Sequence, residues 1–103
     1  MQRLKLLQDW LEKTPNDPFL HFGIAMEYMS SESYTLALEK FELIATQFPD
    51  YLANYYQLAK LYETNGDENK AIAVYEKGIA LAQQLGDKKT AGELRSALEE
   101  LTF

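Results

Sequence analysis

Apolar residues recur at intervals of three and four along nearly the whole chain, and the runs they form are broken at regular places. The breaks read TPNDP after the first run, SSES after the second, FPD after the third, NGD after the fourth and GD after the fifth. Between them lie segments of about 12 to 18 residues whose apolar spacing is helical. None shows the period-two alternation of a half-buried strand. Each break also carries end-of-helix chemistry. Asp17 stands where it caps a helix whose first residue is Pro18, a position at which a missing N–H costs nothing. Ser33, Asp50, Asp67 and Asp87 offer side-chain oxygens to the helices that follow them, and Gly66 and Gly86 suit the left-handed residue that ends a helix. The pattern predicts six helices, short turns and no sheet.

The helices also match one another in pairs. Sliding the sequence by 34 residues lays Ala25 on Ala59, Tyr28 on Tyr62, Ala37 on Ala71 and Glu42 on Glu76. Similar residues fall beside them: His21 with Tyr55, Phe22 with Tyr56, Ile24 with Leu58, Leu38 with Ile72 and Phe41 with Tyr75. Small and aromatic residues thus return at equivalent points of each pair. A repeat of this length and content is the mark of a helix–turn–helix solenoid.

The residues that recur resemble those of the tetratricopeptide repeat family. In YYQLAKLYETNGDENKAIAVYEKGIAL the resemblance rests on Tyr55, Leu58, Ala59, Tyr62, Gly66, Asp67, Ala71, Tyr75 and Gly78. In HFGIAMEYMSSESYTLALEKFELIATQFP it rests on Ile24, Ala25, Tyr28, Tyr34, Ala37, Phe41 and Pro49. This first copy departs at Glu32, where the family uses a turn glycine, and at Ile44, where a small residue is expected. The second lacks the closing proline, since Gln83 stands there, so its helix should run on to about Leu85. The resemblance implies an all-α, right-handed helix–turn–helix solenoid of about six antiparallel helices in a single domain. Residues 1–14 would form an N-terminal half-repeat helix, 18–51 and 52–85 two full repeats, and 87–101 a C-terminal capping helix with an apolar stripe of Ala91, Leu94, Leu98 and Leu101. Gly78 falls where the family asks for a small residue at a close helix approach. That accounts for a glycine whose helix-propensity cost is about 1 kcal/mol.

Composition narrows what such a chain does. At 103 residues, 47% hydrophobic and 25% charged, it has the balance of an ordinary globular domain and the length to bury a core. A net charge of −6 argues against a nucleic-acid surface, which needs a basic stripe, and equally against an anionic membrane. No apolar run approaches the roughly 18 residues of a membrane span. MQRLKLLQDWLEK is too interrupted by charge to be a secretory signal, so a cytoplasmic setting is expected. With no cysteine there is no disulfide, thiolate metal site or thiol nucleophile.

No constellation of residues suggests catalysis or a cofactor. The single histidine, His21, stands where an aromatic usually opens a repeat and reads as structural, with Asp17 one turn earlier as a local ion-pair partner. Metal-ligand spacings and phosphate-binding glycine clusters are missing, and Glu99 and Glu100 read as solvated charge. What remains is surface. On a helical wheel Leu20, His21, Ile24, Ala25 and Tyr28 form the arc expected to face the repeat's second helix, and Gly23, Glu27 and Ser30 are left for water. Phe19, Phe22, Met26 and Met29 form the adjoining arc, matched in the second repeat by Tyr56, Lys60 and Glu63. The resemblance implies that these seven residues line a groove for a partner protein or peptide, a use that aromatics and adaptable methionines suit. Two structural alternatives stand beside it. The N-terminal helix, through Leu4, Leu7, Trp10 and Leu11, would cover Phe19 and Phe22, or two copies would shield the stripe in a homodimeric scaffold.

Overall fold

A computed structural model describes residues 2–103, and within them the expected fold class is observed: six α-helices and no strand. They are α1 (Gln2–Lys13), α2 (Pro18–Ser30), α3 (Tyr34–Gln47), α4 (Ala53–Thr64), α5 (Glu68–Leu85) and α6 (Lys88–Thr102). The chain divides into two compact units, one ending at Tyr51 and one beginning at Leu52.

In the first unit α2 is held from two sides. Leu7 of α1 packs on Leu20 and Ile24 of α2, with Leu4, Leu11 and Tyr28 closing the edges of the cluster. Gly23 gives α1 its close seat, since a Cβ there would meet Leu7 Cδ1 at 3.3 Å. Arg3 Nε bonds Glu27 Oε1 at 2.6 Å along the same seam. The wheel expectation is corrected for the residues it left to water, Gly23 and Glu27. Leu20 and Ile24 meet α1, and Gly23 and Glu27 belong to that seam as well. Phe22 instead turns to α3 and its following loop, with ring centroids 5.9 Å from Phe41 and 5.5 Å from Tyr51. Nor does α1 cover Phe19, which keeps 65% of its surface exposed, while Trp10 keeps 48%.

The second unit closes on a glycine. A Cβ built on Gly78 of α5 would lie 2.8 Å from Tyr55 Cβ of α4 and 3.0 Å from Leu94 Cδ1 of α6. Three helices converge there at a spacing no larger residue allows. Tyr55, Leu58, Ala59, Tyr75, Ala82, Ala91, Leu94 and Ala97 are buried around that point. Each large apolar side chain so buried is worth about 1.5–3 kcal/mol against exposure. Helix α5 runs to Leu85, as the missing proline implies.

The turns show why the chain repeats. After α2, Glu32 N–H donates to Met29 O and Ser33 N–H to Tyr28 O; after α4, Gly66 N–H donates to Glu63 O and Asp67 N–H to Tyr62 O. After α5, Gly86 N–H donates to Gln83 O and Asp87 N–H to Ala82 O. All three are the paired closure that needs a left-handed residue in the middle. Gly66 (φ +81°) and Gly86 (φ +75°) supply it freely, whereas Glu32 is forced to φ +60°. The caps are fewer than the sequence suggests. Asp17 accepts from Phe19 N–H at 2.9 Å and Asp87 from Thr90 N–H at 3.0 Å, as expected. Ser33 and Asp67 make no side-chain cap bond, and α4 begins after Leu52 rather than after a capping Asp50.

Candidate functional site: the α4–α6 cleft

Within the second unit, α4 and α6 leave an open cleft of about 700 Å³. Tyr56 and Lys60 line it from α4; Lys88, Lys89, Gly92, Glu93, Ser96, Ala97 and Glu100 line it from α6. Steps of three and four put the α6 residues on one stripe, beside the buried Ala91, Leu94 and Ala97 that fix the helix against α5. Gly92 has no neighbour within 4 Å of where its Cβ would be, so it serves the opening of the cleft and no close packing.

The polar side of α4 is built on a buried phenol. Tyr75 of α5 is fully buried, and its hydroxyl donates to Glu63 Oε2. Burial first, then the hydrogen bond to Glu63 and the neighbouring negative charges, push the Tyr75 phenol far above the usual tyrosine range, so it remains a donor. The same Glu63 oxygen lies 3.7 Å from Lys60 Nζ, and that amine sits 5.7 Å from the centre of the Tyr56 ring. Lys60 is thus held at the cleft wall by a carboxylate on one side and an aromatic face on the other. Lys88 and Lys89 stand at the first turn of α6, where Asp87 caps the helix. Hydrogen bonds from the Thr90 backbone and hydroxyl hold the Asp87 carboxyl below its ordinary value.

The seven sequence-derived residues fare differently. Tyr56, Lys60 and Glu63 come together on one face of α4, with Glu63 committed to Tyr75 and Lys60. On α2, Phe19 is open, Met26 and Met29 are half-buried, and Phe22 is half-buried between Phe41 and Tyr51. Sequence reasoning missed the α6 wall. Lys89, Glu93, Ser96 and Glu100 recur at helical spacing, but a helix read only as a cap has one meaningful face. His21 is structural: its Nε2–H donates to the Pro15 carbonyl at 2.9 Å and its ring packs 5.5 Å from Phe48. Asp17 is not the partner of that ring. Among the described residues no cluster of three or more metal-binding side chains occurs, and no helix is long and apolar enough to cross a membrane.

Helix pairs with the same turn bonds 34 residues apart (Glu32 against Gly66) define a helical repeat protein. Comparison with known proteins gives the family. The family model described as tetratricopeptide repeat matches residues 52–85. A TPR repeat-containing protein of Pseudomonas aeruginosa is 30% identical over 95 residues, 92% of this chain and 90% of that one. The crystal structure of a tetratricopeptide repeat domain protein of Salinibacter ruber is 35% identical, spans 84% of this chain and 96% of its own, and superposes with a TM-score of 0.80. At 20% identity the fold alone is shared with PcrH, solved in complex with the chaperone binding region of PopD; it covers 96% of this chain and 75% of its own, with a TM-score of 0.84. The chain belongs to the tetratricopeptide repeat family, whose members are interaction scaffolds rather than catalysts.

Proposed function

We propose that the chain is a protein-interaction module that holds a segment of a partner protein in the cleft between α4 and α6. The observation that carries this reading is the construction of the α4 wall. A buried phenol fixes a carboxylate, the carboxylate fixes Lys60, and Lys60 lies against Tyr56 at an opening of about 700 Å³. A recognition surface set in advance loses less side-chain freedom on binding. Tyr56 and the apolar edge of Ala97 offer contact area, while Lys60 on α4 and Lys88, Lys89, Glu93 and Glu100 on α6 supply charge of both signs. A mixed segment fits best, with an apolar residue against Tyr56 and an acidic residue towards the lysines. PcrH, which shares this fold, is seen with a partner's region bound. The test compares recovery of bound proteins by wild type and by a Tyr56→Ala, Lys89→Glu variant verified as folded. The reading predicts that at least one partner is lost, and equal recovery of every partner contradicts it.

Self-association is the competing reading, favoured by the 65% exposure of Phe19. Light scattering at micromolar concentration decides it. A dimer made monomeric by Phe19→Glu supports self-association, and a monomer removes it.

A further inference from the structure

We propose that the α4–α5 turn carries a spontaneous modification site, the Asn65–Gly66 peptide, which the folded turn holds closed and which local unfolding opens. This is the chain's one Asn-Gly step, and Asn65 is exposed. In such a step the following amide nitrogen is unhindered, because glycine presents no side chain to an approaching group. The Gly66 nitrogen bonds to Asn65 Cγ and gives up its proton; the bond to the side-chain nitrogen breaks and that nitrogen leaves as ammonia. Water then adds across one of the two C–N bonds of the cyclic imide, yielding aspartate or isoaspartate. No oxidant, reductant or enzyme is needed.

The fold opposes the first step twice. Gly66 N–H is donated to Glu63 O at 3.0 Å, so the nucleophilic nitrogen is engaged. Asn65 has ψ 0°, which eclipses the Gly66 nitrogen with Asn65's own backbone nitrogen rather than with Cβ. Attack requires rotation about the Asn65 Cα–C bond until that nitrogen reaches the side chain. The rotation swings the Gly66 N–H off Glu63 O and, with Gly66 still at φ +81°, displaces Asp67 from its 2.9 Å bond to Tyr62 O. Reaction therefore follows opening of the turn. The equivalent turns place Ser31 before Glu32 and Leu85 before Gly86, so they lack the reacting amide.

The product makes the event one-way. Isoaspartate inserts a methylene into the main chain inside a closure whose bonds depend on residue spacing, so the turn cannot re-form as it was. Two residues earlier stands Glu63, which accepts from Tyr75 and holds Lys60, so the lesion reaches the cleft wall.

The test incubates the folded chain, the chain in denaturant and the excised peptide LYETNGDENK at one mildly alkaline pH and temperature. Conversion at Asn65 is followed by mass spectrometry and isoaspartate assay. Conversion at least about tenfold slower in the folded chain than in the peptide is expected, the ratio reporting the free energy of opening the turn. Gly78→Ala, which loosens the second unit, should speed conversion without denaturant. Equal rates in folded chain and peptide overturn the proposal, and so does a measurably destabilised Gly78→Ala chain that converts no faster.

Discussion

Two residues show opposite outcomes of one backbone requirement. Gly66 takes φ +81° without penalty; Glu32, at the equivalent turn, takes φ +60° against the clash of its own Cβ. Replacing Glu32 by Gly should stabilise the chain by about 1 kcal/mol, read as a higher denaturation midpoint at unchanged slope. The sequence marked Glu32 as a departure, but the cost appears only with the hydrogen bonds that force the same closure on both turns. Gly78 is the reverse case, a helix-interior glycine that has no room to change. Gly78→Leu should cost about 2–3 kcal/mol or more through overpacking against Tyr55 and Leu94. Gly92→Ala, with nothing within 4 Å, should gain about 0.5–1 kcal/mol by helix propensity. Chemical denaturation of the two variants checks both signs, and spacing alone does not distinguish the two glycines.

At the scale of elements, the existence of all six helices was legible because apolar period and turn residues agreed. Which face of α2 meets which neighbour was not. A wheel assumes one buried side, whereas α2 is gripped by α1 at Leu20, Gly23 and Ile24 and by α3 and its loop at Phe22. Capping was half legible for a related reason. A side chain of the right type caps only where the backbone aims it, as at Asp17 and Asp87 but not Ser33 or Asp67. Asp87 makes α6 sensitive to acid. Its carboxyl titrates below the ordinary 3.8 because the charged form accepts from Thr90. The stabilisation is present above that ordinary value and is lost as pH falls through the lowered one. Asp87→Asn should flatten the acid limb of stability below the ordinary carboxyl value of 3.8, with α6 fraying as the loss in helical signal. An unchanged limb would mean that the cap contributes nothing.

For the whole molecule, a net charge of −6 conceals a local gathering of cations, with Lys60, Lys88 and Lys89 lining one cleft beside Glu93 and Glu100. Sequence reasoning reached the family through residues that recur every 34 positions, because those residues make the packing. It reached only the α4 half of the cleft, since α6 follows neither repeat and its lining residues are polar. The most direct measurement places a photo-crosslinking benzoylphenylalanine at Ser96 inside the cleft and, in a second chain, at the exposed Lys77 of α5. If a partner segment lies between α4 and α6, Ser96 yields a discrete crosslinked partner that Lys88→Glu, Lys89→Glu abolishes, and Lys77 yields none. A partner crosslinked from Lys77 but never from Ser96 would contradict the account.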